Sequence, residues 1–524
     1  MKEPIIGIDL GTRYAQIAIH EPGSGVKIIP NRWGTLRTPS FVALTPDGMV
    51  AGEDAARMAL SNSHNVWWDM KRHLGTDWVA RYGGKAYTPE DLLFSLLSLL
   101  REDAEAFLKT FVSSCVLAVP AHFSFPERGA LAKTAQLAGF ERVKIVNEPT
   151  AAALSVGIDG RFLVLDFGAG TLDISVVEGE RGVFQVLESQ GRSDIGGFDL
   201  DKRLCDWLWK KIGDSALPVE EKKNSLMLSE AEAIKIGLSD AMRVSWTVPA
   251  GLSPDNKKVV DIRREDFELL ITPLLEEVLR MVERLWKRYE PSRLLLVGGS
   301  SRIPLLRQML SRRVYEPERL RMCPEEAVVV GTALYSSQGR ERLLIDVLSR
   351  SLGVMDAEGG VVSLLERGTP LPAEASKRFT ARGFGSLEVT LVQGEGRVRN
   401  INRVLQTIKV ERVADGEEVE IVFRVDGGGL FHVEINREIQ SCRKVITLDS
   451  DEIGDTPCDL LSELRLREER FFHLVTVLSP AIQQRVHALL MRLRSLRDED
   501  ASIQWQAIEL VDRTIADIEQ VVQS

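Results

Sequence analysis

The chain carries one short pattern twice, and this duplication restricts its fold more than any other feature. The apolar run IIGIDL at residues 5–10 ends in an aspartate and a glycine turn, and FLVLDF at 162–167 repeats it before GAGT. Each turn continues into a second apolar segment, YAQIAI or LDISVVE. Short apolar runs bounded by glycine predict buried strands. The expected unit is strand–turn–strand, unlike the strand–turn–helix of a P-loop, and the sequence contains no GxxxxGK[ST] motif.

Helical patterns whose ends are marked by capping residues, proline or glycine lie between and after the two copies. Thr88-Pro89-Glu90-Asp91 combines an N-cap, a proline at the first helical position and acidic residues in the first turn. Further segments predict a strand at 115–119, a helix from about 126 to 139, a strand at 293–297 and a helix that begins at 304. This alternation, with its internal duplication, predicts an α/β unit of two similar lobes over residues 1–340.

The pattern changes after residue 340. SLEVTLVQ, VEIVFRV and LFHVEIN are short alternating segments separated by glycine-containing turns, which predict an antiparallel sheet domain. Residues 481–497 and 503–522 then carry the 3.6-residue apolar spacing of helices. The apolar stretch at 343–347 lies at the boundary. It is either the first strand of the β-domain or a linker that docks elsewhere.

Composition and charge exclude several classes of protein. The chain has 524 residues, 44% hydrophobic and 27% charged, which excludes a disordered chain. A net charge of −10 argues against broad binding to nucleic acid. No apolar run approaches the roughly 20 residues that span a bilayer, and no signal-peptide organisation is present. The five scattered cysteines predict neither a disulfide framework nor a zinc site. We expect a soluble cytoplasmic protein with no nucleic-acid or membrane partner.

The two glycine turns suggest a phosphate site. Backbone N–H groups of such a turn can approach phosphate oxygens, and an aspartate at the strand end can hold Mg²⁺, usually through water. Two facing turns would hold one phosphate chain, with Asp9 and Asp166 around the metal. Taken singly, each motif is more often a structural turn. Both together, with Gly298-Gly299, favour phosphate binding.

Two further groups of polar residues are open to two interpretations. Lys71 and Glu148 are candidates for positioning a water that attacks a γ-phosphate, although pattern alone favours solvated surface charges for both. Glu232, Lys235 and Ser239 share one helical face because they are spaced three and four residues apart. They could bind a ribose and a base, or form an exposed polar stripe, and spacing alone favours the stripe.

Longer motifs then follow one another in a distinctive order. DMKRHLG, VPAHFSFPERGALAKTAQLAGF, VNEPTAAAL, DIGGFDLD, AEAIKIGLSDA, LVGGSSRIPLL and PEEAVVVGTA accompany the two turns. Together they resemble the nucleotide-binding domain of the seventy-kilodalton heat-shock chaperones, the DnaK family. VPAHF and NEPTAAAL distinguish this family from actin and the sugar kinases. The resemblance covers about residues 4–450.

The resemblance implies a multidomain fold. Residues 1–340 would form an α/β actin-like ATPase domain of two lobes, and 341–350 the interdomain linker. Residues 351–455 would form an antiparallel β-sandwich that resembles the family's peptide-binding domain. Residues 456–524 would form a short α-helical, lid-like segment, much shorter than the family's own lid.

The resemblance also implies roles for individual residues. It favours a binding role for Glu232, Lys235 and Ser239 over an exposed polar stripe. The implied catalytic residues are Lys71, Glu148, Asp166 and Thr171, and Asp9, Asp166 and Asp173 would lie around Mg²⁺. The implied ATP/ADP contacts are Gly11, Thr12, Arg13, Tyr14, Gly168, Ala169, Gly170, Gly196, Gly197, Glu232, Lys235, Ser239, Gly298, Gly299, Ser300, Arg302 and Glu325.

Three of these positions, and Lys144 outside them, differ from the family pattern. Arg13 replaces a small hydroxyl residue, and its guanidinium could contact phosphate or fill the space of the attacking water. Ala169 replaces a glycine, which would be costly if its φ were positive. Glu325 replaces an aspartate near the adenosine. Lys144 keeps a positive charge where the family has an arginine that contacts the J-domain.

The implied function is that of an ATP-dependent chaperone that couples ATP binding and hydrolysis to binding and release of unfolded or specific client polypeptides. A J-domain co-chaperone and a nucleotide exchange factor are the further partners implied. The alternative is an ATP-binding scaffold or holdase with little hydrolysis, which Arg13 and Ala169 motivate. A small-molecule kinase is disfavoured, because a kinase has no need of the β-domain after residue 350.

Overall fold

The fold was analysed in a computed structural model. It describes residues 3–21, 23–61, 65–212, 221–249, 252, 258–318, 320, 322–336, 343–355, 360–381, 385–396, 402–413, 415–437 and 444–447. The described residues up to 433 belong to one compact unit, and a second unit contributes only 434–437 and 444–446. The lid-like segment 456–524, with its expected helices at 481–497 and 503–522, lies outside the described residues.

The first lobe is built on a six-stranded sheet in the order β11-β10-β1-β2-β3, with β4 paired to β2. β1 runs parallel to β10 and antiparallel to β2, as a strand–turn–strand unit requires. The elements of this lobe are β1 (Ile5–Leu10), β2 (Tyr14–Glu21), β3 (Gly25–Ile29), β4 (Thr38–Pro39), β5 (Val42–Thr45), β6 (Gly48–Ala51), α1 (Glu53–Ser61), β7 (Val66–Trp67), β8 (Ala80–Tyr82), β9 (Lys85–Tyr87), α2 (Pro89–Leu108), β10 (Ser114–Val119), α3 (Phe125–Leu137), β11 (Arg142–Asn147) and α4 (Glu148–Val156).

The second lobe repeats this design in a sheet of order β17-β12-β13-β14-β18. β12 runs antiparallel to β13 and parallel to β17, so the predicted duplication is present in the topology. Its elements are β12 (Gly160–Phe167), β13 (Leu172–Glu180), β14 (Val183–Arg192), α5 (Gly197–Ile212), α6 (Glu221–Asp240), β15 (Arg243–Thr247), β16 (Val259–Arg263), α7 (Arg264–Tyr289), β17 (Arg293–Val297), α8 (Pro304–Arg313), α9 (Ala327–Ser336) and β18 (Leu343–Ile345).

The helix starts that the sequence predicts are present. The Thr88 side chain accepts a hydrogen bond from the Asp91 N–H, and the Asp91 carboxylate accepts one from the Thr88 N–H. This reciprocal capping box satisfies two N–H groups that have no partner inside the helix, which is why α2 begins there. α2 then buries its leucine face in the core of the first lobe.

Two helices join the lobes. α4 and α9 pack on each other and lie among buried side chains that come from both sheets, such as Val116 of β10 and Phe162 of β12. Gly331 of α9 allows this close crossing, because a Cβ at this position would lie 1.6 Å from the Ala151 carbonyl oxygen of α4. The connection between the lobes is therefore a tightly packed pair of helices.

The segment after α9 extends the sheet of the second lobe. Leu343, Leu344 and Ile345 of β18 pair in parallel with Val183, Phe184 and Gln185 of β14. Of the two interpretations that the sequence left open, this pairing favours a docked linker, since β18 lies outside the sheets of the β-domain.

The β-domain contains short antiparallel strands. One sheet has the order β20-β19-β22-β23, and in a second sheet β21 pairs with β24. The strands are β19 (Leu352–Met355), β20 (Val361–Leu365), β21 (Ala373–Thr380), β22 (Gly385–Gln393), β23 (Arg403–Val413), β24 (Glu418–Val425), β25 (Phe431–Arg437) and β26 (Lys444–Thr447). These strands agree with the alternation in SLEVTLVQ and VEIVFRV.

Candidate functional site

A cleft between the two lobes contains nearly all the predicted site residues. Its cavity is about 430 Å³ in volume. The predicted residues that line it are Asp9, Gly11, Thr12, Arg13, Tyr14, Lys71, Glu148, Asp166, Gly168, Ala169, Gly170, Thr171, Glu232, Lys235, Ser239, Gly298, Gly299, Ser300, Arg302 and Glu325. Residues from seven separate segments of the chain therefore meet at one place.

The deepest part of the cleft, called the floor below, consists of Asp9, Lys71, Glu148 and Asp166. The Lys71 ammonium donates to Glu148 Oε1 at 2.5 Å, and both side chains are buried. Burial and the neighbouring Glu148 charge raise the pKa of Asp9 to about 7, although Lys71 opposes them. Burial and the charges of Glu148, Asp173 and Asp9 also raise the pKa of Asp166 well above its usual range. Three carboxylates thus share one cation, so the floor favours a further positive charge.

The two glycine turns touch each other above the floor. A Cβ on Gly170 would lie 2.2 Å from Thr12 Oγ1, so only glycine allows the second turn to approach the first this closely. Ala169 is unstrained: among the described non-glycine residues, positive φ values occur only at Lys109, Arg181 and Glu290. The cost expected for the alanine is therefore absent.

The wall of α6 carries the residues predicted to bind adenosine. The Lys235 ammonium donates to Asp201 Oδ2 at 2.8 Å and to the Gly197 carbonyl at 3.2 Å. Burial raises the pKa of Asp201 to about 6, against the opposing charge of Lys235. Ser239 donates to the Lys235 carbonyl. This face of α6 lines the cleft and is not an exposed stripe.

The glycine turn after β17 forms the adjoining wall. Ser300 Oγ donates to the Gly168 carbonyl at 2.8 Å, which ties this turn to the second of the two glycine turns. The Arg302 guanidinium donates to both carboxylate oxygens of Glu325. The longer acid at position 325 is therefore fixed by a bidentate pair.

A second cavity adjoins this cleft and shares Arg13 and Glu232 with it. Its lining side chains Arg13, Phe41, Trp68, Phe198 and Glu232 are called the mouth below. Arg13 belongs to the turn after β1, yet its guanidinium pairs with both carboxylate oxygens of Glu232 on α6. The same guanidinium lies 4.7 Å from the Phe41 ring centre and 5.4 Å from that of Trp68. Trp68 in turn meets Phe198 edge-on at 4.5 Å. Arg13 thus joins the two lobes, a contact that the sequence did not predict.

Three predicted residues lie behind the cleft wall. Gly196 and Gly197 support the second glycine turn, and the Gly197 N–H donates to the Gly168 carbonyl at 3.0 Å. Asp173 is buried on β13, where its Oδ1 accepts from His122 Nδ1 at 3.1 Å. Burial lowers the pKa of His122, but the charge and hydrogen bond of Asp173 raise it by more, so the net shift is upward.

Sequence reasoning missed several residues of the cleft. Gln16, Arg37, Ile236, Asp240, Ile303, Pro324 and Val328 also line it. His122 and Asp201 lie inside the quoted motifs VPAHF and DIGGFDLD, and so were available as candidates. Their contacts join residues far apart in sequence, which no local pattern indicates.

The floor fits a hydrated Mg²⁺. Within the described part of the chain, no three His, Cys, Asp or Glu side chains are grouped closely enough to bind a metal directly. Mg²⁺ usually keeps several waters and uses one or two carboxylates. Asp9 and Asp166 supply the negative charge, and Asp173 Oδ2 is buried without a hydrogen-bond partner among the described residues. That oxygen is an available acceptor for a water.

Comparisons with known proteins agree with this geometry. The family model described as Hsp70 protein matches residues 5–82 and 77–470. The chaperone protein DnaK of Thermotoga petrophila is 32% identical over 465 residues, which cover 82% of this chain and 78% of the relative. DnaK of Thermosipho africanus is 32% identical over 464 residues, with coverage of 82% and 77%. None of the helices described here is long and apolar enough to cross a membrane.

Proposed function

The chain belongs to the Hsp70 family of ATP-hydrolysing, DnaK-type chaperones, and we propose that its interlobe cleft holds ATP with Mg²⁺ and hydrolyses it. The observation that carries this proposal is the buried Lys71–Glu148 pair beside Asp9 and Asp166, directly beneath two touching glycine turns. Such a floor places a cation and acceptors where a γ-phosphate would be attacked.

The phosphate chain would lie between the two turns. Their backbone N–H groups and the Thr12 and Thr171 hydroxyls supply donors for phosphate oxygens. The Gly170 position keeps these donors close together across the cleft. Because both turns end buried strands, the donors are held in place before the nucleotide binds, which reduces the cost of ordering them.

Lys71 and Glu148 would position the attacking water. Phosphoryl transfer depends mainly on alignment and on neutralisation of charge, with little covalent chemistry for the protein. The Lys71 ammonium can hold the water oxygen, while the Glu148 carboxylate fixes the ammonium and is near enough to take up a proton. Burial raises the pKa of Glu148, which favours that second role.

Asp9 and Asp166 would hold the metal through its waters, with Asp173 behind them. When bound, Mg²⁺ neutralises charge on the phosphates. The like charges of the floor, which raise the pKa of Asp9 and Asp166, are the physical reason that these side chains prefer a cation beside them. Glu232, Lys235, Ser239, Gly298, Gly299 and Arg302 would bind the adenosine.

Coupling to client polypeptides would run through the docked linker. Asp346 is buried and accepts three hydrogen bonds: from Asn147 Nδ2 at 2.7 Å, from Thr150 Oγ1 at 3.3 Å and from the Val347 N–H at 2.8 Å. Asn147 and Thr150 flank Glu148, the proposed catalytic carboxylate. A change at the floor can therefore reach the linker through one turn of α4.

The β-domain also contacts the lobes directly. The Arg403 guanidinium donates to Ser124 Oγ at 2.8 Å, and Phe125 lies 5.1 Å from Phe431. Arg367 pairs with the buried carboxylate of Glu188. In this docked arrangement the linker strand and the β-domain form the element that ATP binding and hydrolysis would switch. Lys144 is exposed on β11 and remains a candidate contact for a J-domain partner; a nucleotide exchange factor is a further proposed partner.

The test is steady-state ATP hydrolysis with Mg²⁺, with and without an unfolded apolar peptide. We expect slow turnover that the peptide accelerates. Asp346→Asn places an NH₂ group where the carboxylate accepts from donors, so it should keep basal turnover and lose the peptide response. Asp47→Asn, an exposed aspartate on the first lobe, is the matched control. An Asp346→Asn variant with a normal peptide response contradicts the proposed coupling.

The alternative is an ATP-binding scaffold with little hydrolysis. Arg13 favours it most directly, because its pair with Glu232 holds the lobes together and would slow nucleotide exchange. Absence of turnover in a protein that still binds ATP would support the scaffold. Peptide-accelerated turnover would exclude it.

A further inference from the structure

His122 makes a hydrogen bond between the lobes that the proposed mechanism does not use. It lies between β10 and α3 of the first lobe, and its Nδ1 is 3.1 Å from Oδ1 of Asp173 on β13 of the second lobe. The carboxylate is buried and the imidazole mostly so, with 1% and 12% of their surfaces exposed. Asp173 is the ladder partner of Asp166, so this contact lies immediately behind the floor.

A glycine makes room for this contact. Gly191 of β14 is the ladder partner of Asp173 on its other side. A Cβ at position 191 would lie 2.4 Å from Asp173 Oδ1 and 2.5 Å from His122 Nδ1, distances that no side chain could tolerate. The space that the pair occupies therefore exists only because residue 191 has no side chain.

The chemistry of the pair fixes the direction of the bond. An ionised carboxylate only accepts, so His122 Nδ1 carries the proton and donates it. The second carboxylate oxygen, Oδ2, is buried without a partner among the described residues, and so is His122 Nε2. Buried polar atoms normally have a partner, either a protein group or an ordered water. One held oxygen and one available oxygen give the carboxylate a defined orientation.

We propose that His122 is a positioning residue of the ATPase site: its Nδ1–H holds Asp173 Oδ1 so that Oδ2 stays oriented toward the water around the bound Mg²⁺–nucleotide. This role rests on the proposed function of the cleft. A side chain that orients a metal-side carboxylate typically changes metal affinity or activity by about 10- to 100-fold when it is removed. A purely structural tie between the lobes would instead change only thermal stability.

The first readout needs no nucleotide. Selective ¹⁵N-histidine labelling and a long-range ¹H–¹⁵N spectrum report which ring nitrogen carries the proton, and His122→Asn assigns the signal among the 7 histidines. We expect a proton on Nδ1. A ring protonated only on Nε2 overturns the proposal, whatever the activity of the protein.

The second readout is ADP binding by calorimetry over a series of Mg²⁺ concentrations, with single-turnover hydrolysis alongside. His122→Phe keeps a ring but removes the donor, so the Mg²⁺-dependent gain in ADP affinity and the hydrolysis rate should each fall about tenfold or more. ADP affinity without Mg²⁺ should not change. His122→Asn places an amide N–H near the Nδ1 position and should recover most of both.

Gly191→Ala tests the same bond without altering either partner. The added Cβ should separate the pair and reproduce the His122→Phe defect, and the double variant should be no worse than either single one. Gly179→Ala is the matched control: Gly179 lies on β13, six residues beyond Asp173, and its Cβ would crowd the Ile158 carbonyl oxygen at 2.6 Å.

The outcomes separate this proposal from the proposed function. Wild-type ADP binding that ignores Mg²⁺ overturns both the metal site and the role of His122. Normal Mg²⁺ dependence that His122→Phe leaves intact overturns only the role of His122. Equal losses in His122→Phe and His122→Asn, or losses that multiply with Gly191→Ala, likewise contradict it.

Discussion

The floor and the mouth of the cleft differ in how their charges are balanced. In the floor, Asp9, Glu148 and Asp166 surround a single ammonium, that of Lys71, and burial raises the pKa of all three acids. In the mouth, Arg13 and Glu232 neutralise each other one to one. The floor is therefore electrostatically incomplete until a cation and a phosphate chain arrive, whereas the mouth is already closed without them.

This difference separates two properties of the site. In the proposed mechanism, groups of the floor act on charge that develops during hydrolysis, so changing them should alter the chemical step. Groups of the mouth join the lobes, so changing them should alter how fast the nucleotide leaves. Glu232 can pair with Arg13 and bind the nucleotide at the same time, because a carboxylate has enough lone pairs to accept from Arg13 and from a ribose hydroxyl.

The largest effect is expected at Lys71. Lys71→Ala should lower the single-turnover hydrolysis rate at least about a hundredfold, because it removes the cation that holds the attacking water. ATP affinity should stay within about tenfold, since the role of the ammonium is in the transition state. Lys85→Ala, at an exposed lysine of the first lobe, is the control. A larger loss of affinity would make Lys71 a ground-state phosphate clamp.

Asp166→Asn should separate stability from function. The neutral amide removes one of the mutually repelling buried charges, so the free energy of unfolding of the nucleotide-free protein should rise by about 1–2 kcal/mol at pH 7.5. The same change should abolish the stabilisation that Mg²⁺–ADP gives the wild type. Chemical denaturation with and without Mg²⁺–ADP measures both quantities. A destabilised nucleotide-free variant would contradict the charge imbalance assigned to the floor.

Arg13→Thr tests the mouth. Loss of the pair with Glu232 and of the contacts with Phe41 and Trp68 should speed release of a fluorescent ADP about fivefold to tenfold, as expected for a partly exposed ion pair with aromatic neighbours. Stopped-flow release measures this. Arg57→Ala is the matched control, because Arg57 lies over the Trp33 ring at 4.2 Å within the first lobe. Unchanged release in Arg13→Thr would mean that the Arg13–Glu232 pair is already broken in the nucleotide complex.

The smallest effect is a pH dependence next to Lys235. Burial raises the pKa of Asp201 to about 6, so the folded protein binds a proton there more readily than the unfolded chain. The contribution to stability is therefore greatest below about pH 4 and is lost as the pH rises through 6. Asp201→Asn should flatten this part of the stability profile in urea denaturation. If the plot of unfolding free energy against pH has the same slope between pH 4 and 7 in Asp201→Asn as in the wild type, the raised pKa of Asp201 is contradicted.

Local sequence was sufficient for the duplicated lobes. The apolar runs that end in Asp9 and Asp166, and the capping pattern at Thr88, depend on neighbours within a few residues, and the structure contains the elements they predict. Local sequence was not sufficient to interpret the polar face of α6. Spacing placed Glu232, Lys235 and Ser239 on one face, but only the resemblance to a family favoured a binding role over a solvated one.

Contacts between distant residues could not be predicted. The sequence suggested that Arg13 could contact phosphate or fill the space of the attacking water, and it gave no sign of the partner Glu232, which lies 219 residues away on α6. The apolar stretch 343–347 could be the first strand of the β-domain or a docking linker, and only the pairing of Leu343–Ile345 with Val183–Gln185 of β14 favours the linker. The His122–Asp173 bond likewise depends on the meeting of two lobes and on a glycine in a third strand.

The most direct test of the division between floor and mouth is to measure the single-turnover hydrolysis rate and the ADP release rate of the same three proteins: wild type, Lys71→Ala and Arg13→Thr. Lys71→Ala should lose hydrolysis and keep the wild-type release rate, and Arg13→Thr should release ADP faster while its hydrolysis step stays within about twofold of wild type. Loss of hydrolysis in Arg13→Thr comparable to that in Lys71→Ala would contradict the account, because Arg13 would then belong to the chemistry of the floor.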